Sequence, residues 1–189
     1  MSEAPRVISV NVALGRTVPW KGERVRTGIY KVPVARRVRV HAVGLDGDEQ
    51  ADLQVHGGPL KAVYAYPSEH YAFWLGQLPG APLPWGAFGE NLTVSGLSES
   101  RVRVGDAFRI GSAVLAATKP RFPCYKLGIR FGREDMIDRF LESGRTGFYL
   151  RMLEEGELGA GDAIGVLGGG EGQPTIADLV STRQRAEEG

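Results

Sequence analysis

The chain has 189 residues, a formal net charge of +1, 42% apolar residues and 24% charged residues. These values are ordinary for one globular domain and show no basic excess of the kind that nucleic-acid-binding proteins carry. The single cysteine excludes an internal disulfide, a multi-cysteine zinc site and an iron–sulfur cluster held by this chain alone.

The N-terminal sequence has no basic segment followed by a long apolar run, and no apolar stretch reaches the roughly 20 residues that span a bilayer. We therefore expect a cytoplasmic protein without membrane association. The arginine cluster at residues 36–39 is interpreted as the exposed face of a strand, so no nucleic-acid partner is expected.

In the first half of the chain, alternating apolar residues predict strands over 6–14 and 32–45, with a loop or irregular hairpin over 18–31. Residues 44–58 are polar and glycine-rich and are predicted to form a long connection, which leads into a strand over 61–66. Ser68 offers an N-cap for a short helix. The apolar face of that helix consists of Tyr71, Trp74, Leu75 and Leu78.

The second half contains the clearest hairpin. Residues 107–110 and 113–117 flank Gly111-Ser112, a two-residue loop with glycine first, as a type II′ turn requires. Three further strands are predicted: after residue 88, over 147–153 and over 163–167. A helix is predicted over 134–143.

About eight strands at short spacing and two to three helices, without a βαβ rhythm, predict a mixed α/β, mainly β fold. We expect a β-barrel-like sheet with a few peripheral helices. The predicted organisation is a single domain over residues 1–167, followed over 168–189 by a Gly-rich linker and a short charged C-terminal helix or tail. The glycines of this linker lack the strand–turn–helix setting of a dinucleotide-binding loop.

The only cysteine, Cys124, follows the hairpin directly. Prolines lie four residues before the thiol and directly before it, so each X-Pro step should be stiff and non-helical, and we expect the thiol in a rigid basic loop. Neighbouring positive charge favours the thiolate, the form of cysteine that binds metals and acts as a nucleophile. The nearby cations are Lys119, Arg121 and Lys126. A small buried hydrophobe is the alternative interpretation of this thiol.

Two glycine-containing loops offer further candidate groups. The backbone of His56, Gly57 and Gly58 can aim successive N–H groups at an anion, and Lys61 can add a positive charge. A plain turn with a satisfied histidine is the alternative. Asn91 follows a second glycine turn at a strand entrance, where it can offer an amide or belong to an ordinary turn.

An acidic run lies before the first of these loops. Its spacing does not follow the calcium-loop pattern, because no glutamate occupies the twelfth position. We therefore interpret these residues as solvated loop carboxylates. They are Asp46, Asp48, Glu49 and Asp52.

Five stretches together resemble the MOSC domain, which is named after the C-terminus of molybdenum cofactor sulfurase, and in particular its stand-alone bacterial YiiM-like branch. They occur in the family's order between about residues 6 and 167. The stretches are Gly47-Asp48-Glu49-Gln50-Ala51-Asp52, Val55-His56-Gly57-Gly58-Pro59, Tyr66-Pro67-x-Glu69-His70-Tyr71, Phe88-Gly89-Glu90-Asn91-Leu92 and Pro120-Arg121-x-Pro123-Cys124-Tyr125-Lys126-Leu127.

The resemblance implies a β-barrel-like mixed fold that binds the pyranopterin molybdenum cofactor, with Cys124 as molybdenum ligand and catalytic residue. Such a cofactor needs a soft thiolate, cations or N–H groups for its anionic parts, and amide donors for its ring. The candidate cofactor-binding residues are His56, Gly57, Gly58, Lys61, Asn91, Arg121 and Lys126.

Some relatives reduce N-hydroxylated compounds, so the resemblance implies an oxidoreductase acting on a small N-hydroxylated substrate. The sequence shows no flavin, haem or iron–sulfur motif, and electrons are therefore expected from a separate reductase. Two alternatives stay open: a sulfur carrier that uses a Cys124 persulfide, and a non-catalytic carrier of the cofactor. A homodimer is a further expectation. A short charged tail is expected in place of the three-helix C-terminal segment of longer YiiM-like chains.

Overall fold

The computed structural model describes residues 4–50 and 57–187. These residues form thirteen strands, four α-helices and a short 3-10 helix at Pro59–Lys61. The helices are α1 (His70–Gln77), α2 (Tyr125–Phe131), α3 (Met136–Glu142) and α4 (Ile176–Glu187). The strands are β1 (Arg6–Val12), β2 (Arg16–Trp20), β3 (Glu23–Thr27), β4 (Val32–Pro33), β5 (Val38–His41), β6 (Gly44–Leu45), β7 (Val63–Pro67), β8 (Leu92–Ser95), β9 (Ala107–Ile110), β10 (Ala113–Pro120), β11 (Phe148–Glu154), β12 (Gly156–Leu158) and β13 (Ile164–Gly168).

The main sheet has eight strands in the order β13-β9-β10-β11-β7-β8-β1-β4. Its paired strands are antiparallel except for β7 and β8, which are parallel. A three-stranded sheet (β12-β5-β6) and the β2–β3 hairpin complete the sheet structure. The predicted mixed α/β, mainly β class is therefore confirmed.

The predicted barrel is not confirmed. Among the described residues, pairing between the named strands leaves the main sheet open, with β13 at one end and β4 at the other. A single bridge between Arg6 and Ala163 brings the start of β1 beside the residue that precedes β13.

Several local predictions were wrong. Residues 32–45 form three short strands, because β4 pairs with β1 whereas β5 pairs with β6 and β12. The region of the expected loop or irregular hairpin is a regular hairpin, whose turn residues Lys21 and Gly22 both have positive φ (50° and 81°). Ser68 does not cap α1: the N-cap is Glu69, without a side-chain cap hydrogen bond, and Ser68 accepts the Tyr71 N–H through its carbonyl at 3.1 Å.

The β10–β11 pair carries an irregularity that matters for the site. The β9–β10 hairpin has the predicted position, with Ala113 opposite Ile110. Further along β10, the register against β11 shifts between Ala117 and Lys119, so that Thr118 is an extra residue in the strand. The Thr118 hydroxyl instead donates to the carbonyl oxygen of Leu60 at 2.7 Å.

Helix α2 was not predicted, because it begins directly after Cys124 without a side-chain cap and contains a glycine. The two X-Pro steps are non-helical as predicted, but Tyr125 and Lys126 are helical, so the expected loop ends at Cys124. Burial explains the helix. Leu127 is fully buried, a contribution of about 1.5–3 kcal/mol, and a Cβ at Gly128 would lie 2.9 Å from the Arg133 carbonyl oxygen.

Two apolar clusters hold the fold. The larger one consists mainly of aliphatic residues of the sheets, and the smaller one is aromatic. In the aromatic cluster, Trp74 of α1 stacks on Phe140 of α3 with ring centroids 5.8 Å apart, and its indole N–H donates to the Tyr66 hydroxyl at 2.7 Å. Leu127 of α2 belongs to the same cluster. The aromatic cluster therefore positions the helix that starts at the cysteine.

The last helix packs on the sheet. Ile176 and Val180 of α4 are buried, and Thr175 and Asp178 exchange hydrogen bonds at its first turn. Gln184 donates to the Leu141 carbonyl at 2.7 Å. In the described part of the chain, no helix is both long and apolar enough to cross a bilayer.

Gly147 and Gly132 provide a test of backbone packing beside the candidate site. Both have φ of 64°, but a Cβ on Gly147 would lie 2.4 Å from the Ala65 carbonyl oxygen, whereas a Cβ on Gly132 would meet nothing within 4 Å. Gly132→Ala should cost about 1–2 kcal/mol of unfolding free energy for its left-handed conformation. Gly147→Ala should cost clearly more, because β7 and β11 must separate. Urea denaturation of both variants measures the difference, and equal losses would contradict the packing described here.

Candidate functional site

An open pocket lies where the connection between β3 and β4 meets the end of β10 and the start of α2. Its empty volume, including space open to solvent, is about 600 Å³. Five of the predicted site residues line it: Lys61, Asn91, Arg121, Cys124 and Lys126.

Cys124 lies on the short segment between β10 and α2. Its backbone is extended (φ −132°, ψ 173°), and its carbonyl accepts the Leu127 N–H at 2.9 Å. The thiol is free and partly exposed. Lys126, the second residue of α2, is largely buried and lines the same pocket. The start of α2 and the residue before it therefore contribute a lysine and a thiol to the lining of the same pocket.

Arg121 is only 6% exposed. Its guanidinium lies 5.4 Å from the Tyr64 ring centroid and 5.7 Å from that of Phe140. Burial by itself would lower the pKa of Arg121, but the interactions with Tyr64, Tyr149 and Cys124 outweigh it and raise that pKa. The Nη1 atom is out of contact with solvent and has no hydrogen-bond partner within residues 4–50 and 57–187. Because Arg121 is also among the residues that line the pocket, it places a buried positive charge beside it.

Two tyrosines in the pocket were missed by the sequence analysis. The rings of Tyr64 on β7 and Tyr149 on β11 lie 5.5 Å apart, and burial raises the pKa of both phenols. The Tyr64 hydroxyl donates to the Thr146 carbonyl at 2.7 Å. Tyr149 faces Lys119 across the β10–β11 pair. That pairing places Tyr149 near the cysteine segment. No local sequence pattern predicts which residues pair between the two strands.

Asn91 lines the pocket, but its amide is engaged within the protein. The side-chain oxygen accepts the Tyr64 N–H at 3.1 Å, and the nitrogen donates to Asp48 at 2.9 Å and to the Asn11 carbonyl at 3.4 Å. Glu90 supports the turn before it, since its buried carboxylate accepts the N–H groups of Gly86 and Phe88. Asn91 therefore ties together the chain segments that form the pocket wall.

Asp48 is not a solvated loop carboxylate, and that interpretation was wrong. Its side chain is 3% exposed and forms an ion pair with Lys31, itself 9% exposed, at 2.5 Å. Asp48 also accepts the Ala13 N–H at 2.9 Å. Lys31 was missed by the sequence analysis. Asp46 and Glu49 are partly exposed, and Asp52 lies outside the described residues.

The structure describes only part of the predicted anion-binding loop at residues 56–58. His56 lies outside the described residues, and Gly57 and Gly58 are not among the residues that line the pocket. The Gly58 N–H is used within the protein, where it donates to the Gln50 side-chain oxygen at 3.1 Å. Gln50 also donates to the Lys61 carbonyl at 2.9 Å. Gln50, another residue missed by the sequence analysis, thus fixes the turn that carries Lys61.

Comparison with known proteins identifies the family. Residues 52–165, more than half of the chain, match the MOSC domain. The chain belongs to the MOSC domain family. It is 45% identical over 165 residues to YflK of Bacillus subtilis, a match that covers 87% of this chain and 74% of YflK. The crystal structure of YiiM from Geobacillus stearothermophilus superimposes with a TM-score of 0.80 at 33% identity and covers 98% of this chain and 86% of that protein.

One protein similar to this chain carries a functional name. A protein of Gibberella moniliformis named Reductase is 36% identical over 149 residues. The match covers 77% of this chain but only 26% of the fungal protein. The MOSC match and the resemblance to YiiM thus support the family assignment that the five sequence stretches suggested.

Asp48 and Asp46 allow a matched test of the buried ion pair. Asp48→Asn leaves the Lys31 ammonium buried without a counter-charge, so we expect a loss of about 3–5 kcal/mol of unfolding free energy. Asp46→Asn removes an exposed carboxylate that contacts His41 and should change the unfolding free energy by about 0.5 kcal/mol or less. Urea denaturation at neutral pH compares the two variants. Similar small losses in both would argue against a structural role of the Lys31–Asp48 pair.

Proposed function

We propose that the Cys124 pocket binds the pyranopterin molybdenum cofactor and that the protein reduces small N-hydroxylated compounds. The observation that carries this proposal is the buried guanidinium of Arg121 among the residues that line the same pocket as the only thiol. A buried charge is costly unless an opposite charge lies near it, and an anionic group bound in the pocket would supply that charge. Family membership supports the same conclusion.

The residues of the pocket fit the cofactor chemically. The cysteine thiolate is a soft ligand of the kind that heavier transition metals accept. Four cationic side chains line the pocket, against two carboxylates that are engaged with Lys31 and Arg26. Cys124 would hold the metal, and positive charge would hold the anionic groups of the cofactor. The cationic side chains are Lys31, Lys61, Arg121 and Lys126.

When bound, the cofactor would supply a two-electron redox centre that the side chains of this chain cannot provide. The overall reaction converts an N-hydroxylated compound, two electrons and two protons into the amine and water. The electrons would come from a separate protein reductase. The name of the fungal relative supports reductive chemistry. The task of the chain is then to hold the cofactor and to position the N–O group beside it.

A second candidate function follows from the exposure of the thiol. Cys124 is free and partly exposed, so it can also be reached by a sulfur donor and carry a persulfide. In that case the protein would transfer sulfur, and bound molybdenum would not be required. The same pocket without turnover would correspond to a cofactor carrier.

Metal analysis tests the first proposal. Protein purified from a host that makes the cofactor should contain about one molybdenum per chain, because one thiolate ligand is available. Cys124→Ser should lose most of the metal, and Arg121→Gln should lower its content, because the buried positive charge beside the pocket is removed. Tyr125→Phe is the matched control: this exposed neighbour of the cysteine should keep the wild-type content. Wild-type protein free of molybdenum from such a host would overturn the proposal.

Mass spectrometry distinguishes the second candidate. After incubation with a persulfide donor, a sulfur carrier should gain the mass of one sulfur atom on wild-type protein and none on Cys124→Ser. The reductase proposal instead predicts a molybdenum-containing protein that consumes electrons from reduced viologen when an N-hydroxylated compound is added. Stable sulfur loading without metal would favour sulfur transfer, and bound cofactor without turnover would favour a carrier.

A further inference from the structure

The two phenols of the pocket differ in the state of their hydroxyl groups. The Tyr64 hydroxyl already uses its proton in a hydrogen bond, which it donates to the Thr146 carbonyl at 2.7 Å. The Tyr149 hydroxyl donates to no acceptor in residues 4–50 and 57–187, although the side chain is only 8% exposed. A phenol in such a position keeps a hydrogen-bond donor available to whatever occupies the pocket.

The surroundings of Tyr149 fix its ring and its oxygen. Strand β11 holds the residue between β10 and β7. Its ring packs against Tyr64 at 5.5 Å, with the Lys61 ammonium 5.9 Å from the ring centroid. Burial raises the pKa of the Tyr149 phenol, and the positive charge of Arg121 only partly offsets that effect. The phenol therefore keeps its proton to donate.

We propose that Tyr149 is a specificity-determining residue, whose hydroxyl donates a hydrogen bond to the nitrogen-bound oxygen of the substrate. This inference rests on the proposed function and names the group that recognises its substrate class. The matching amine lacks the oxygen, so its binding leaves the Tyr149 donor in the pocket without a partner. Sites built around such a polar contact discriminate against the analogue that lacks it. The reduced product is therefore held less tightly than the substrate.

Equilibrium binding tests this role without turnover. Phenylhydroxylamine and aniline are the ligand pair, and each is dialysed against molybdenum-loaded protein in the absence of reductant. Wild-type protein should bind phenylhydroxylamine more tightly. Tyr149→Phe should weaken phenylhydroxylamine binding by about 3–10-fold, the value of one hydrogen bond. Aniline binding should stay unchanged or become tighter, because the variant has no donor left without a partner. In steady-state assays with reduced viologen, kcat/KM for phenylhydroxylamine should fall at least as much.

Two controls separate recognition from structure. Tyr64→Phe removes a hydroxyl of the same pocket that is already bonded to Thr146, so it should reduce stability but preserve the ratio of the two affinities. Tyr125→Phe, beside the cysteine but exposed, should change neither. Molybdenum content is measured for each variant, and Tyr149→Phe should retain the wild-type value.

The outcomes distinguish this inference from the proposed function. A Tyr149→Phe protein that loads molybdenum and keeps the wild-type affinity ratio overturns the role of Tyr149 alone. Equal weakening of both ligands, or loss of molybdenum in this variant, also overturns it, because Tyr149 would then support the pocket or the cofactor. Wild-type protein that neither loads molybdenum nor reduces phenylhydroxylamine overturns the proposed function, and the role of Tyr149 with it.

Discussion

The pocket depends on the ion pair between Lys31 and Asp48, which lies almost entirely out of contact with water. Removing two charges from water is costly unless further hydrogen bonds complete their shells. The Asp48 carboxylate has these bonds, from the Ala13 N–H and the Asn91 amide. The pair therefore joins the segments that follow β1, β3 and β6 to the turn before β8. One side of the pocket is held by polar contacts.

The opposite side is held by apolar packing. The aromatic cluster anchors α2 and α3 against the sheet, and Leu127 seats the helix whose first residue follows the cysteine. Arg121 lies at the boundary, where its guanidinium contacts aromatic rings on one side and the pocket on the other. A cation is stable there because the rings and phenols offset part of its desolvation. An anionic ligand in the pocket would offset the rest of that desolvation cost, which is the physical basis of the proposed cofactor site.

The sequence predicted the parts of the site that local chemistry reveals. Cys124, Arg121 and Lys126 are neighbours in the chain, and Lys61 follows a glycine loop, so their types and spacing were visible. Tyr149 and Lys31 reach the pocket only through strand pairing and chain reversal, which no local pattern records. Helix α2 escaped prediction because burial, and not a cap or helix propensity, stabilises it. The fold class followed from strand spacing, whereas the connections between strands, and hence the question of closure, did not.

The extra residue in β10 has a consequence for how this protein can vary. Side chains alternate between the two faces of a strand, and one inserted residue reverses that alternation beyond it. Thr118 is that residue here, and Arg121 and Cys124 lie just beyond it. Substitution at Thr118 would remove the hydroxyl contacts with the carbonyl oxygens of Leu60 and Tyr149, whereas deletion of the residue would draw the cysteine segment back and turn it toward the other face. The direction of the Cys124 side chain therefore depends more on the number of residues in β10 than on which residue stands at position 118.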